Sequence, residues 1–390
     1  MFDNGSGRAL ASLGPLTHTA GRRLPDRQVL TGGRRPSPLR TSDSMASIPA
    51  DGSHSSRRFG TKTGTRSFRI EIQASTDVGL VRDGNEDALL VHEFYDLYVV
   101  ADGMGGHNCG EVASQFSVEA MQAFYESAEI TGRVRQAHRY AVANLPKERR
   151  DVSFHALRLR KAVESANVSV FRLSQQHEAL RDMGTTIVAT AFSGSRVYVA
   201  NVGDSRVYRL RRDQLTQLTE DHSLVNEYVK MNMLRPEDVE TFPYKNVIVR
   251  AVGLHERVTV DLTFANVRAG DQILMCSDGL TDLVRDHEIE HILVDSADPE
   301  AACARLTDAA KERGGHDNIT VLLLKLHEDP AAQPNPDPML LKLPATEPDA
   351  VTAAEPEAGA APPPPPSGPA PMGPPPAEPA PIAEPDPAEG

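Results

Sequence analysis

Carboxylate side chains recur in this sequence where hydrophobic, strand-like runs begin or end, usually next to glycine. They are Glu86 and Asp87 in NEDA, Asp102 in VVADG, Asp204 in NVGDSR, Asp278 in LMCSDG and Asp317 in GGHDN. A single Asp-Gly step is typical of an ordinary turn. Several carboxylates packed together, however, repel one another unless a cation neutralises them. Because all of these ligands are oxygens, the pattern favours a hard ion, Mg²⁺ or Mn²⁺.

Such a site has a characteristic chemistry. Two divalent ions about 3.5–4 Å apart lower the pKa of a bridging water and direct it in line at a phosphorus atom. The leaving oxygen departs on the opposite side, and an arginine can hold the phosphoryl oxygens through two parallel hydrogen bonds. Arg82, four residues before Glu86, is the candidate for that contact. The alternative interpretation of Arg82 is a solvent-facing arginine in a turn.

Periodic patterns indicate the elements that would position these carboxylates. Apolar residues at spacings of three and four predict helices over 111–126, 154–176 and 299–312. Runs of β-branched and aromatic residues predict strands over 67–75, 87–94, 96–102, 185–194, 195–204, 205–212, 214–221, 256–264, 271–278 and 318–326. The central runs follow one another with short turns, so antiparallel hairpins are expected. The sequence predicts an α+β fold, a β-sandwich of antiparallel sheets flanked by pairs of α-helices.

Composition divides the 390 residues into three parts. Residues 1–67 hold eleven basic and four acidic residues, and residues 328–390 hold 21 of the 30 prolines with eleven acidic residues and one lysine. Both segments lack the apolar surface needed to offset the entropy of ordering, so a disordered basic arm and a disordered acidic tail are predicted. One globular domain over 68–327 is expected between them. Met45 is an alternative start of translation, which would remove part of the arm.

The same features exclude several classes of protein. An acidic domain without a basic stripe is not typical of a nucleic-acid-binding protein. No window approaches 18 consecutive apolar residues, so no membrane span is predicted, and the N-terminus lacks the apolar region of a signal peptide. The three cysteines are widely spaced and form no disulfide framework. A soluble, cytoplasmic protein is expected.

Six segments connect these observations to a known family. VRDGNEDA, DGMGGH, MGTT, NVGDSR, CSDGLTD and GGHDNIT occur in this order. They resemble the motifs of the metal-dependent serine/threonine protein phosphatases of the PPM family, the type 2C class, over residues 69–326. Within the family the chain is similar to the bacterial branch that opposes Hanks-type kinases. The resemblance implies two antiparallel sheets flanked by helix pairs, with the metals in a cleft at one end and a variable flap over 223–253.

The resemblance also implies ligands for two core ions, Mn²⁺ or Mg²⁺. Asp102 would bridge both ions. The carbonyl of Gly103 would ligate the second ion, and Glu86 would ligate that ion directly or through water. Asp278 and Asp317 would hold the first ion.

Further roles follow from the same resemblance. Asp87 would lie just outside the second ion, and Asp204 would contribute to a third, weaker site that shares a carboxylate with the first. Arg82 would bind the substrate phosphate. Asp282 and Asn318 are expected to hydrogen-bond the ligating carboxylates, because such carboxylates need orientation. The plainer alternatives for these two residues are a surface acid and an Asx turn.

The proton donor for the leaving group is not assigned by the motifs. Many eukaryotic members carry a histidine near the cleft, whereas this turn continues with Met104, which cannot donate a proton. A metal-bound water or His107 is the candidate donor. His107 is equally a candidate for orienting Asp102 or Asp317. In the flap, Met231 and Met233 are predicted either to contact substrate proteins or to form the flap's own small core.

The leading hypothesis is therefore a phosphoprotein phosphatase that hydrolyses phosphoserine and phosphothreonine without a covalent intermediate. Its expected partners are phosphorylated proteins and a eukaryotic-like serine/threonine kinase, and a monomer is expected. The alternative is a catalytically inactive fold of the same family used for binding or sensing, which predicts that metal ligands are missing. A third hypothesis makes the proline-rich tail a scaffold for a partner, although such segments are also typical of spacers.

Overall fold

The strands form two antiparallel sheets in a computed structural model that describes residues 55–59, 68–105, 109–144, 153–244 and 246–329. In chain order the strands are β1 (Ser55–Phe59), β2 (Phe68–Asp77), β3 (Asp87–His92), β4 (Leu97–Met104), β5 (Gly184–Thr185), β6 (Ile187–Ser193), β7 (Arg196–Val202), β8 (Arg206–Arg211), β9 (Gln214–Gln217), β10 (Asp261–Asn266), β11 (Gln272–Cys276) and β12 (Ile319–Glu328). Sheet I has the order β1-β2-β12-β11-β8-β9. Sheet II has the order β10-β7-β6-β4-β3, with β5 paired to β4.

Helices cover the outer faces of both sheets. They are α1 (Cys109–Glu126), α2 (Ala128–Asn144), α3 (Phe154–Gln176), α4 (Leu224–Lys230), α5 (Asp278–Thr281), α6 (Asp286–Asp295) and α7 (Pro299–Glu312). Helices α1 and α3 pack on sheet II, and α6 and α7 pack on sheet I. Strands covered on both faces read as nearly continuous hydrophobic runs, as in IVATAFS of β6, where all residues but the last are buried.

The inner faces of the two sheets enclose a core of aliphatic side chains. Ile70 and Ile72 of sheet I face Val100 and Val188 of sheet II, and each is at most 1% exposed. Removing this much apolar surface from water is the main stabilising contribution to the sandwich. The predicted α+β sandwich is confirmed. The carboxylates lie on one side of it, where some strands end and their antiparallel neighbours begin.

Several boundaries differ from the predictions. Residues 55–59, predicted to belong to a disordered arm, form β1 and pair with β2, so that prediction is wrong for these five residues. Helices α2 and α6 were not predicted, and α2 makes the layer on sheet II three helices rather than a pair. Strand β10 begins at Asp261 rather than at 256, because Val258 and Val260 turn into the core beside sheet II.

The flap segment, residues 223–253, begins with α4 and continues through a 3₁₀ turn at Pro236–Thr241. Its own small core contains Tyr228 and Phe242, whose ring centroids are 5.4 Å apart. Met231 and Met233 are 64% and 66% exposed, so they are not part of that core. Contact with substrate proteins stays a prediction for both methionines. Among the described residues, no helix is long and apolar enough to cross a membrane.

Candidate active site

Two neighbouring strand ends in sheet II carry the first pair of carboxylates. Strand β3 begins at Asp87 and β4 ends just after Asp102, and the antiparallel register places these two residues opposite each other. The backbone at Asp102 is fixed from the other side, because its N–H donates to Thr186 Oγ1 at 3.0 Å and its carbonyl accepts from Thr185 Oγ1 at 2.8 Å. The local pairing thus holds Asp102 at the open end of the sheet.

Sheet I contributes the second pair. Strand β11 ends at Cys276, and Asp278 follows as the first residue of α5, while Asp317 lies just before β12. Ser277 joins the two sheets at this point, since its hydroxyl donates to Asp87 Oδ2 at 2.8 Å and accepts from the Thr320 N–H at 3.0 Å. Carboxylates that are far apart in sequence therefore meet at one end of the sandwich.

Asp204 lies on the turn that passes from sheet II to sheet I, between β7 and β8. It is buried, and its neighbour Ser205 shares a 2.7 Å hydrogen bond with Thr186. Since Thr186 also accepts from the backbone of Asp102, the turn and the end of β4 are linked through one threonine. The predicted third-site residue is thus brought to the same end as the core carboxylates.

Four of the carboxyl groups at this end have raised pKa values. Burial raises the pKa of Asp87 to about 8 and that of Asp278 to about 6, with repulsion from neighbouring carboxylates adding to both. Burial and the charges of Asp278 and its neighbours raise the pKa values of Asp102 and Asp204 well above the usual range. The carboxyl groups of Asp102 and Asp278 lie close enough for their charges to repel each other, which favours the protonated form of Asp102.

The donor set fits a hard divalent cation. The Oδ1 atoms of Asp87, Asp204 and Asp278 are buried and have no hydrogen-bond partner in the described part of the chain. A cation would supply the missing partner and offset the mutual repulsion, and hard ions prefer such oxygens. In the described ranges no three His, Cys, Asp or Glu side chains are already closed around one point. Binding of the ion would release protons from the carboxyl groups whose pKa values are raised.

Glu86 and Gly103 lie where the start of α1 packs against the end of β4. The N–H of Gly103 donates to the Glu86 carbonyl at 3.1 Å, and the Glu86 carboxylate packs so closely on Gly110 that a Cβ there would stand 2.8 Å from Oε1. A Cβ on Gly103 would stand 2.1 Å from the Gly110 carbonyl oxygen and 2.5 Å from that of Glu86. Backbone packing alone thus requires glycine at position 103, whatever its carbonyl binds.

Arg82 and Asn318 organise the loop before β3. Nη2 of Arg82 donates to Asp317 Oδ2 at 2.8 Å, and the arginine side chain is 47% exposed. Asn318 Oδ1 accepts from the Glu86 N–H at 2.7 Å, and its amide nitrogen donates to the carbonyls of Val78 and Gly84 at 2.9 Å. Its own N–H donates to Asp317 Oδ1 at 2.9 Å, so Asn318 contacts both the backbone that carries Glu86 and a candidate ligating carboxylate, as predicted.

Asp282 lies at the rim, one turn after Asp278. It is exposed, its N–H donates to the Asp278 carbonyl, and its Oδ2 accepts from Asn246 of the flap segment at 2.8 Å. Met104 pairs with Gly184 at the end of β4. His107 lies outside the described residues, so its predicted role as donor or orienting group stays a prediction.

The sequence did not predict two hydroxyl groups that hold the carboxylates in place. Ser277 and Thr186 each bridge segments far apart in the chain; the Ser277–Asp87 bond spans 190 positions. The only sequence signal for these two hydroxyl groups was their position within the CSDG and MGTT segments. MGTT resembles a family motif and opens a predicted strand, and neither feature indicates that its threonines hold Asp102.

The sequence also contains an HExxH segment, HEIEH at 287–291, a spacing that is typical of zinc enzymes. The prediction of a carboxylate site overlooked it. It lies on α6, where both histidines are exposed. Glu288 is already engaged, because its carboxylate accepts from the Arg285 N–H and pairs with Arg313. The segment therefore does not have the free general base of a zinc hydrolase.

Comparison with known proteins places the chain among phosphatases. A model of the protein phosphatase 2C family matches residues 82–315. The serine/threonine phosphatase stp of Listeria innocua is 37% identical over 259 residues, covering 66% of this chain and 96% of the relative. The protein phosphatase PhpP of Streptococcus pneumoniae is 33% identical over 267 residues, covering 67% of this chain and all of the relative.

Solved structures similar to this chain are also serine/threonine phosphatases. The crystal structure of the serine/threonine phosphatase PstP/Ppp of Mycobacterium tuberculosis has a TM-score of 0.57 at 33% identity, covering 66% of this chain and 99% of that chain. A crystal structure of the catalytic domain of PstP in complex with two manganese ions has a TM-score of 0.55 at 33% identity, covering 66% and 98%. The family match contains every predicted site residue except Asp317 and Asn318.

Proposed function

The chain belongs to the protein phosphatase 2C family, and from that premise we propose that it hydrolyses phosphoserine and phosphothreonine esters in proteins with the help of two divalent ions. The observation that carries this proposal is the set of carboxylates with unpartnered oxygens that both sheets deliver to one end of the sandwich. The inactive alternative is not supported, because every carboxylate that the resemblance requires is present and the relatives are named as phosphatases.

We assign the ligands as the resemblance implies. Asp102 lies between the carboxylates of the two sheets and would contact both ions. Asp278 and Asp317 from sheet I would hold one ion, and Glu86 with the Gly103 carbonyl would hold the other. When bound, the ions supply Lewis acidity that lowers the pKa of water and offsets charge on the phosphoryl group.

The surrounding residues keep these ligands in place. Ser277 holds Asp87, and Asn318 holds the backbone of Glu86. Because these contacts come from sheet I to residues of sheet II, the two halves of the site are fixed relative to each other. Outer hydrogen bonds of this kind commonly change metal affinity by about 10–100-fold when they are removed.

Phosphate release from a phosphothreonine peptide is expected only with Mn²⁺ or Mg²⁺ present, because the carboxylate cluster has no other means of activating water. The full chain, stripped with a chelator and dialysed, would be assayed before and after addition of each ion. Activity that persists under chelation would contradict the proposal. The same preparation without added ion is the control for residual metal.

Arg82→Ala is expected to raise KM for the phosphopeptide about tenfold or more, because a charge-assisted bond to the phosphate contributes about 1.5–3 kcal/mol. The Arg82 side chain is exposed enough to exchange Asp317 for a phosphoryl oxygen. Arg82→Lys is the matched control. It keeps the charge but cannot make a bidentate contact with the phosphate, so an intermediate KM is expected. An unchanged KM in both variants would show that Arg82 only neutralises Asp317.

The remaining assignments rest on the sequence alone. A third, weaker ion at Asp204 and Asp278, the use of Mn²⁺ or Mg²⁺, and a monomeric state stay predictions. So do a cytoplasmic location and an opposing Hanks-type kinase. The flap segment, with its exposed Met231 and Met233, is the proposed contact surface for phosphoprotein substrates.

A further inference from the structure

His222 is a buried histidine that joins four separate segments of the chain. It is 1% exposed and lies immediately before the flap segment. Its backbone N–H donates to the Gly203 carbonyl at 3.0 Å, and its ring Nδ1 accepts from the Gly203 N–H at 3.0 Å. Both polar groups of Gly203 are therefore held by one residue. Gly203 directly precedes Asp204.

The other side of the ring contacts charged groups. Nε2 of His222 lies 3.1 Å from Asp261 Oδ2 and 2.9 Å from Nη1 of Arg250, and the same arginine nitrogen donates to Asp261 Oδ1 at 2.7 Å. Since Nδ1 accepts a hydrogen bond, the single hydrogen of a neutral ring is on Nε2 and is donated to Asp261. Asp261 therefore fixes the tautomer that can hold Gly203.

The placement of Asp204 depends on its backbone. The Oδ1 atom of its carboxyl group is buried and has no hydrogen-bond partner among the described residues, so side-chain bonds do not fully define where it points. The preceding residue, Gly203, has φ +112°, and a Cβ there would stand 2.6 Å from Thr186. The turn is thus packed between Thr186 on one side and His222 on the other.

The same histidine is connected to both ends of the flap segment. Its carbonyl accepts from the Val249 N–H at 2.8 Å, and Arg250 follows directly. Ser223, the next residue, bridges to Ile248. A displacement of either flap end would therefore reach the turn that carries Asp204 through His222, by its backbone and by the contact of Arg250 with its ring.

We propose that His222, held by Asp261 and Arg250, is a positioning residue that fixes the Gly203–Asp204 turn and so sets the affinity of Asp204 for a divalent cation. The inference rests on the proposed function, since it concerns the same carboxylate site. His222 does not touch the reacting atoms. It acts through the backbone of Gly203 and couples cation binding at Asp204 to the ends of the flap segment.

Two substitutions of the ring separate its two faces. His222→Asn places an amide oxygen near the position of Nδ1 and keeps an acceptor for the Gly203 N–H. His222→Gln places its amide near Nε2 and loses that acceptor. Mn²⁺ binding to the full chain would be measured by titration calorimetry, with Asp204→Asn defining the weakened site. We expect His222→Gln to weaken that site about tenfold or more, and His222→Asn to retain most of the affinity.

Asp261→Ala tests the same contact at a side chain that is 44% exposed, where folding is not at risk. Like His222→Gln, Asp261→Ala is expected to lower the affinity of this site for Mn²⁺, because the His222 ring loses the acceptor that fixes its tautomer. His92→Gln is the matched control, a buried histidine that bonds Glu126 away from the carboxylates, and unchanged Mn²⁺ affinity is expected.

The outcomes distinguish this inference from the proposed function. If the wild-type chain binds Mn²⁺ and releases phosphate, but His222→Gln and Asp261→Ala bind Mn²⁺ as the wild type does, the positioning role is wrong and the function stands. Equal losses in His222→Asn and His222→Gln would also overturn it, since the contact to Gly203 would then not matter. A wild-type chain that neither binds Mn²⁺ nor releases phosphate would overturn the proposed function itself.

Discussion

Asp102→Asn is expected to reduce metal-dependent phosphate release by more than about a thousandfold, while stabilising the protein in the absence of metal. The loss of activity follows from position. Asp102 lies opposite Asp87 at the end of sheet II, close enough to Asp278 of sheet I for their charges to repel. An amide carries no charge to balance a cation between them. The assay is phosphate release from a phosphothreonine peptide in Mn²⁺.

The gain in stability follows from the sign of the pKa shift. Burial and the neighbouring Asp278 raise the pKa of Asp102, so the folded chain keeps a proton that the unfolded chain loses above about pH 4. The free energy of unfolding of the metal-free protein therefore falls as the pH rises through the folded pKa. Asparagine removes this proton linkage, and its amide can donate to Asp278. We expect a gain of roughly 1–2 kcal/mol at pH 8 and little at pH 5.

Urea unfolding in a chelator at both pH values would measure this effect. Asp271→Asn is the matched control, a buried aspartate that accepts from Arg211 at 2.6 and 2.8 Å. Its substitution removes a charge-assisted pair and is expected to cost about 2 kcal/mol. The two Asp→Asn changes should thus have opposite signs. If metal-free Asp102→Asn were less stable than wild type at pH 8, repulsion between the carboxylates would not be lowering the free energy of unfolding.

Local patterns were sufficient for some elements of the fold. Helices α3 and α7 were predicted at their observed ends from their apolar spacing, and the structure adds a capping residue before each, Ser153 for α3 and Asp298 for α7. The carboxylates at strand ends were predicted to lie together because each followed or preceded a hydrophobic run. Both kinds of signal lie within a few residues of the feature they predict.

Long-range contacts could not be predicted in the same way. Helix α2 was missed because Val134 and Val142 are its only fully buried hydrophobic residues among those described, so the sequence shows no clear apolar face. The roles of Ser277 and His222 depend on partners that the chain places beside them only after the sheets pair. Nothing near position 222 indicates that its ring would hold Gly203.

Gly103→Ala is expected to destabilise the protein by at least about 3 kcal/mol and to abolish activity with it. The added Cβ would meet the carbonyl oxygens of Gly110 and Glu86 at 2.1 and 2.5 Å, and both obstacles are backbone that cannot rotate away. Relief would require the start of α1 to move from the end of β4. Such a shift displaces the Glu86 carboxylate, which packs against Gly110.

Measuring Gly103→Ala in a chelator separates two reasons for this glycine. If the glycine were needed only because its carbonyl ligates a metal, the metal-free variant would unfold at the wild-type urea concentration. Because packing already excludes a Cβ, we expect the full loss of stability without any ion. Gly132→Ala, in the exposed part of α2 with no atom within 4 Å of the added carbon, is the matched control and should gain up to about 1 kcal/mol. Replacing glycine by alanine would thus lower the free energy of unfolding at position 103 and raise it at position 132. Only the substitution beside Asp102 would remove activity.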